Sequence, residues 1–276
     1  NHEIPFGGGG VSSIRFAPDG TIVDAYPICT FTSLNCAGGR TPWGTWLSGE
    51  EFDGGRIWEC DPTQPRSAEP RSAMGIFQHE AAASALDGRV YLTEDKPDGN
   101  LYRFTPDTPG DLSAGLLEVA TGPSAVGPVT WVEVPDHLAQ TTPTRRQVPT
   151  AIRFNGGEGI DTQGTTVWFT TKGDNRVWEY DTAASTMSIR LQAGGTYSHR
   201  ARLIKLASLV AAIRELAPAG LDEILKAHPD LATALDRYPQ GRASLNAQST
   251  TTTRQTKDSF QSSTSSSGPE DALRRR

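Results

Sequence analysis

Three segments of the sequence repeat one pattern, and this repetition is the strongest constraint on the fold. Each has a first strand of aromatic, aliphatic and hydroxyl residues, a polar turn, and a second strand that contains aromatic residues. The segments are TWLSGEEFDGGRIWECD (45–61), VYLTEDKPDGNLYRFTPD (90–107) and VWFTTKGDNRVWEYD (167–181). Repeated antiparallel hairpins are typical of the blades of a β-propeller. We therefore predict an all-β β-propeller, with a β-sandwich as the alternative.

A shorter hairpin precedes these repeats. Residues 13–16 and 21–23 flank the turn signal Pro18-Asp19-Gly20. The three later hairpins start 45 and then 77 residues apart, and a segment rich in Gly, Pro and Thr over 108–147 accounts for the wider gap. We expect about four blade units. Because propellers close with about four to eight blades, we expect an incomplete ring with an exposed sheet edge.

The composition changes near residue 198. Residues 1–198 carry 14 basic and 24 acidic side chains, whereas residues 199–276 carry 12 and 8. All six Trp and 25 of the 28 Gly lie before the change. We predict a propeller region over 1–198, a helical extension over 199–240, where leucines follow helical spacing, and a disordered Ser/Thr-rich tail over 241–276.

The charge pattern excludes some classes of function. No basic stripe is present that would neutralise nucleic-acid phosphates, and an acidic body suits a cation-binding protein better. No apolar run approaches the roughly 18 residues of a membrane-spanning helix, and we find no signal peptide. The three cysteines are too few for a disulfide framework and form no CxxC zinc pair. We expect a monomer that binds a small molecule.

Potential metal ligands occupy corresponding places in the three repeats. Cys36, Glu80 and Glu158 lie ten or eleven residues before the first aromatic residue of each repeat, which is Trp46, Tyr91 or Trp168. Equivalent positions on the innermost segments of a propeller converge on its axis. We therefore expect these three side chains to share a metal site.

The first of these ligands belongs to a dense block of chemistry. Cys36 precedes Gly38 and Gly39, which leave the backbone free to approach a ligand, and the carboxylates of Glu50 and Glu51 follow. A thiolate suits a transition metal, whereas adjacent carboxylates suit calcium. Taken alone, Cys36 has the alternative reading of a small buried hydrophobic residue.

Five ordered motifs resemble the PhoX alkaline phosphatase family. They are NHE (1–3), NCAGGRTPWGTWLSGEE (35–51), QHEAAA (78–83), GRVYLTED (88–95) and GEGI (157–160). The resemblance covers nearly all of residues 1–195. It implies a β-propeller with iron (Fe³⁺) and calcium (Ca²⁺) ions in its channel that hydrolyses phosphate monoesters. It also implies a periplasmic or secreted protein.

The resemblance assigns ligands to this sequence. It implies that Cys36, Glu80 and Glu158 hold iron or are shared between ions, and that Glu50 and Glu51 hold calcium. Weaker candidates are Glu3, Glu94 and Asp95, the last two with a solvated turn as the alternative. His2 and His79 precede carboxylates, so they either orient those carboxylates or serve the structure only.

Two basic residues are candidates for binding the substrate phosphate. Lys172 stands in the third repeat where Asp95 stands in the second, with a surface lysine as the alternative. The family often has an arginine shortly before the glutamate that corresponds to Glu158, and the nearest arginine here is Arg153. We name no catalytic residue beyond the metal site, because metal clusters can orient a nucleophile themselves and no GxSxG elbow or P-loop is present.

Three other functions stay open at this point. One is a non-catalytic propeller that calcium stabilises as a binding module. Another is a different metal-assisted hydrolysis, such as lactone opening, because fold does not determine chemistry. The third is an inactive fragment of such an enzyme.

Overall fold

A computed structural model describes residues 1–192 of the chain. The predicted helical extension and Ser/Thr-rich tail lie outside the described residues. Within residues 1–192 the chain is built almost wholly from antiparallel strands, with two short 3₁₀ helices at Ser72–Met74 and Thr144–Arg146. No helix in this part of the chain is long and apolar enough to cross a bilayer. The prediction of an all-β fold is confirmed.

The first two strands form a hairpin of their own. Strand β1 (Gly9–Phe16) pairs with β2 (Ile22–Thr32), and the pair is closed by the predicted Pro-Asp-Gly turn. Asp19 stabilises this turn, because its carboxylate accepts hydrogen bonds from the backbone N–H and hydroxyl of Thr21. The fourth unit counted in the sequence is thus a two-stranded sheet.

Three larger sheets follow in chain order, and each begins as a meander of consecutive strands. Sheet 1 contains β3 (Asn35–Arg40), β4 (Trp46–Glu50), β5 (Ile57–Cys60) and β6 (Glu69–Pro70). Sheet 2 contains β7 (His79–Ser84), β8 (Val90–Glu94), β9 (Leu101–Thr108), β10 (Asp111–Thr121) and, after the short β11 (Gly127–Pro128), β12 (Thr130–Glu133). Sheet 3 contains β13 (Gly157–Gln163), β14 (Thr166–Thr171), β15 (Arg176–Asp181) and β16 (Thr186–Gln192), with β11 on its outer edge.

The three sheets are arranged as blades of a β-propeller. The first strands of the sheets, β3, β7 and β13, contact one another, while the later strands run outward in sequence order. This is the radial arrangement that repeated hairpins predict. The segment 108–147 supplies strands β10, β11 and β12 and, near its end, the second 3₁₀ helix.

The middle blade is buried on both faces, which explains its run of apolar residues. Leu92 and Tyr102 belong to a core shared with the first blade, whereas Tyr91 and Leu101 belong to a core shared with the third. Because successive residues of a strand point to opposite faces, each face fills one of these two cores.

Candidate metal centre

Each inner strand carries the same irregularity at its potential metal ligand. In β3, β7 and β13 the first residue pairs regularly with the neighbouring strand, and the register then shifts before regular pairing resumes. The shifts lie between Asn35 and Gly38, His79 and Ala82, and Gly157 and Ile160. Cys36, Glu80 and Glu158 are therefore the first residues of three equivalent bulges. A bulge bends its strand and re-aims the side chain there, which presents these ligands to the channel.

The second strands add another set of equivalent residues. Glu51, Asp95 and Lys172 each directly follow the last residue of β4, β8 or β14. The pairs Asn35↔Glu50, His79↔Glu94 and Gly157↔Thr171 bring these strand ends beside the three bulges. The predicted correspondence between Lys172 and Asp95 is thus present in the structure.

These positions bring acidic side chains from different blades together. One carboxylate oxygen from each of Glu51, Glu80 and Asp95 lies within 4.8 Å of the other two. Glu51 also forms a second group with Glu3 and the Cys36 thiol, in which the ligand atoms again lie within 4.8 Å of one another. The Cys36 thiol donates to Glu80 Oε1 at 3.5 Å. Five predicted ligands therefore meet in one cluster, one of them, Glu3, from the N-terminal segment.

The N-terminal segment is tied to this cluster by its first residue. The Asn1 side chain donates to the carbonyl oxygens of Cys36 and Ala37 at 3.0 and 2.9 Å, and it accepts from Trp46 Nε1 at 2.9 Å. These bonds hold the segment that carries Glu3 against the inner strand of the first blade.

The crowding of carboxylates disfavours their ionised forms. Burial, with the nearby charges of Glu158 and Glu51, raises the pKa of Glu80 to about 8. Burial and the contact with Asp95 raise the pKa of Glu51 to about 7. Burial and the Glu80 carboxylate raise the pKa of the Cys36 thiol well above its ordinary value. A bound cation would reverse all three shifts, because it favours the deprotonated forms.

Lys172 is a cation within this acidic cluster. Its ammonium group forms ion pairs with Asp95 and with Glu158 Oε1, the latter at 2.8 Å. Burial opposes its charge, but the two carboxylates outweigh burial and raise the pKa of Lys172. Gly156 makes room for it: with φ of +71°, a Cβ at Gly156 would lie 2.8 Å from Lys172 Cγ. Lys172 is therefore held between two carboxylates at the centre, with its side chain 35% exposed.

Three predicted ligands, Glu50, Glu94 and Glu158, lie outside both groups of potential ligands, and Glu158 pairs with Lys172. Glu50 Oε1 accepts from the backbone N–H of Ser33 at 3.0 Å. Glu94 Oε2 accepts from the Tyr102 hydroxyl at 2.9 Å and from the backbone N–H of Asn100 at 3.2 Å. The carboxylates of Glu50 and Glu94 thus have hydrogen-bond partners within the protein. Their assignment as ligands stays a prediction.

Arg145 was not predicted from the sequence, and it lies next to Glu94. Its guanidinium is 3.4 Å from Glu94 Oε1, 3.4 Å from Asp53 Oδ1 and 3.2 Å from Asp98 Oδ1. Its side chain is only 12% exposed. The signal in the sequence is the Arg145-Arg146 pair inside a loop otherwise poor in charge. Nothing local in that loop indicates that it reaches Glu94.

The remaining candidates serve the surroundings of the centre. Arg153 donates to Asn100 Oδ1 at 3.0 Å and to the carbonyl oxygen of Arg145, so it lies in the Glu94 network; its role toward substrate stays a prediction. His79 is fully buried, bonds to the carbonyl oxygen of Gly75 at 3.0 Å and stacks on Phe77. Its contacts are those of a structural residue. His2 bonds to Ser12.

The two glycines after Cys36 are needed for packing, not for access to a ligand. A Cβ at Gly38 would lie 1.8 Å from the carbonyl oxygen of Leu47, and one at Gly39 would lie 1.9 Å from that of Ala82. Neighbouring backbones approach too closely there for any side chain. Gly39 thus lets the inner strands of the first two blades come together and bring Cys36 to Glu80.

The donor set fits the metals that the resemblance implied. Glu51, Asp95 and Glu3 offer only oxygen, which suits calcium, whereas Cys36 adds sulfur, which suits iron. The raised pKa values of Glu51 and Glu80 mark negative charge that Lys172 alone does not balance. The residues present therefore fit bound cations.

The chain is similar to known proteins both in structure and in sequence. Among solved structures, similar chains include virginiamycin B lyase from Staphylococcus aureus (13% identity, TM-score 0.33) and a chain of a nidogen/laminin complex (12%, 0.28). The matches cover 67% and 70% of this chain, and they span 64% of the lyase and 92% of the other chain. No curated protein sequence matches. The profile of the family described as Alkaline phosphatase PhoX matches residues 10–202, so the chain belongs to the PhoX alkaline phosphatase family.

Proposed function

We propose that the chain is a metal-dependent phosphatase that hydrolyses phosphate monoesters with iron and calcium bound in the propeller channel. Membership of the PhoX family supports a phosphatase-type hydrolase. The observation that carries the proposal is that Cys36, Glu51, Glu80 and Asp95, from two blades, offer their ligand atoms within one small volume. We also propose, on the family resemblance alone, that the protein is exported.

The donor atoms divide the ligands between two kinds of ion. Cys36 and Glu80, whose thiol and carboxylate are in contact, would hold iron. Glu51 and Asp95 would hold calcium through oxygen alone, with Glu3 completing the set from the N-terminal segment. When bound, such ions neutralise the charge of a phosphate ester and supply an oriented nucleophile.

The protein's own residues position the substrate and keep the site ordered. Lys172 Nζ, which here pairs with Asp95 and Glu158, would hold a phosphate oxygen. Thr93 fixes the third bulge, because its hydroxyl donates to the carbonyl oxygen of Glu158 at 2.6 Å. The buried imidazole of His79 bonds to a backbone carbonyl, so it is not poised to activate a serine.

The test is metal analysis of the purified chain together with hydrolysis of an aryl phosphate in the presence of calcium and iron. We expect both metals to bind, a visible absorption band from iron bound to the Cys36 thiolate, and phosphate release. Bound calcium without turnover would instead indicate a binding module. The absence of both metal and turnover would overturn the proposal.

Two variants separate the metal site from general damage to the fold. Cys36→Ala should lose the absorption band, and Glu80→Gln should lower turnover at least about 100-fold through loss of a ligand. Glu118→Gln is the matched control, since Glu118 pairs with Arg103 and belongs to neither group of potential ligands. If Cys36→Ala kept both colour and full activity, the ligand assignment would be wrong.

A further inference from the structure

Two of the three cysteines lie together, away from the metal centre. Cys29 is in β2 of the first hairpin, and Cys60 is the last residue of β5 in the first blade. They are 2% and 0% exposed and belong to one apolar cluster with Val11 and Ile28. The hairpin meets the first blade at this cluster.

Backbone hydrogen bonds hold these two elements in place around the cysteines. The backbone N–H of Ala68 donates to the carbonyl oxygen of Ile28 at 3.1 Å, and that of Arg66 donates to Pro27 at 3.0 Å. Both bonds join β2 to the segment that follows Cys60. The position of Cys29 relative to Cys60 is therefore set by the fold on both sides of the pair.

The two cysteine side chains are neighbours within this cluster, close enough for the Cys60 thiol to affect the pKa of Cys29. Cys29 Sγ also donates to Thr32 Oγ1 at 3.8 Å. The Cys60 thiol lowers the pKa of Cys29, while the Cys29 thiol and burial raise the pKa of Cys60. Cys29 is thus the better nucleophile of the pair, since the thiolate is the reactive form.

We propose that Cys29 and Cys60 form a disulfide bond when the folding chain meets a small-molecule or protein disulfide as oxidant. The Cys29 thiolate attacks one sulfur of the oxidant and releases the first thiol. The Cys60 thiolate then attacks Cys29 Sγ, which forms the Cys29–Cys60 bond and releases the second thiol. The two cysteines lose two electrons and two protons, and the oxidant disulfide is reduced to two thiols.

This bond would act on the segment that completes the metal centre. It would link the hairpin covalently to the first blade, and the chain just before that hairpin carries Asn1 and Glu3. Cys36 would keep a free thiol, because it lies in β3 in contact with Glu80 and not with the pair. The three cysteines would then divide into a structural pair and one ligand.

The test counts thiols in the full chain after refolding with oxidised and reduced glutathione, followed by denaturation without a reductant. We expect one reactive thiol in the wild-type chain and three after reduction, and non-reduced peptide mapping should join the Cys29 and Cys60 peptides. Cys36→Ser should leave no thiol, whereas Cys29→Ser and Cys60→Ser should each leave two.

Three reactive thiols in the refolded wild-type chain would overturn the proposal, as would a cross-link to Cys36. If Cys29→Ser or Cys60→Ser fails to refold, Cys36→Ser still decides the question. This variant has no reactive thiol if the disulfide forms and two if it does not. The count needs no metal and no substrate, so its outcome is independent of the proposed phosphatase activity.

Discussion

Neighbouring carboxylates at the ends of the same two strands have opposite surroundings. Glu50 and Glu94 accept hydrogen bonds from backbone and side-chain groups of the protein. Glu51 and Asp95, one position later, join the cluster around Glu80. Successive side chains along a strand point in opposite directions. Of two adjacent carboxylates, one can therefore bond within its blade while the next joins the channel cluster.

The contrast indicates which acids have a reason to bind metal. Glu94 is buried, and burial raises its pKa to about 7, although Tyr102 and Arg145 favour its charged form. Within residues 1–192 no arginine forms an ion pair with Glu80, and the neighbouring charges of Glu158 and Glu51 add to the effect of burial. Glu94 is paired with the Arg145 guanidinium, whereas the carboxylates of the channel cluster share one cation, Lys172, within the described residues.

The largest expected effect breaks this contrast by removing one channel charge. The folded-state pKa of Glu80, about 8, lies above the ordinary 4.5, so the folded protein holds the extra proton between these values. Its contribution to stability is present at low pH and is lost as the pH rises through 8. The range from pH 6.5 to 9 keeps the opposing effect of buried His79 small: with a pKa of about 3 it is neutral throughout when folded, and its unfolded form is half neutral at pH 6.5 and almost fully neutral at pH 8.

Without metal, the free energy of unfolding should therefore fall by about 2–3 kcal/mol from pH 6.5 to 9. Glu80→Gln should remove most of this fall, as should saturating calcium in the wild-type chain. Urea denaturation measures the free energy of unfolding, with a chelator present in the metal-free samples. A stability that is flat or rises with pH in the wild-type chain would show that the channel carboxylates are not crowded.

A smaller effect should come from the Glu94 side of the contrast. Arg145→Gln removes the ion pairs to Glu94, Asp53 and Asp98, and it should lower the free energy of unfolding by about 1–2 kcal/mol. Glu94→Gln in the same chain should recover part of the loss, since a neutral amide needs no cation. A double-mutant cycle measures the coupling. Additive losses would show that the Arg145–Glu94 pair carries no interaction energy.

The smallest effect tests the place of Lys172 in the channel. Gly156→Ala forces a left-handed residue at φ of +71° and meets Lys172, so we expect a loss of about 1–2 kcal/mol. Gly164→Ala is the matched control, with φ of +60° and open space around its Cβ. The excess loss at Gly156 reports contact with Lys172, and thermal denaturation measures both variants. Equal losses would mean that Lys172 does not fill this space.

The repeated hairpins predicted much of the fold because strand alternation and turn residues are local properties. They also predicted that Cys36, Glu80 and Glu158 occupy equivalent places, which the three inner strands bear out. The bulges at these residues were not predicted, since a shift in register depends on the partner strand and leaves no fixed local pattern.

The different surroundings of Glu50 and Glu51 also could not be predicted from the sequence. Adjacent carboxylates read as one calcium-binding pair until the pleat of the strand separates them. Arg145 and the Cys29–Cys60 contact were missed because each joins distant parts of the chain, 51 and 31 residues apart. Such contacts depend on how blades and loops pack, and residue type alone does not indicate them.

The most direct test of the central claim is calorimetric calcium titration of two matched double variants. Glu51→Gln with Glu80→Gln removes two channel carboxylates, and Glu50→Gln with Glu94→Gln removes their neighbours that bond within the protein. We expect the double substitution of Glu51 and Glu80 to lower calcium affinity by at least about tenfold. The double substitution of Glu50 and Glu94 should change it by less than about threefold. Equal losses in both, or a larger loss in the Glu50 and Glu94 pair, would contradict this expectation.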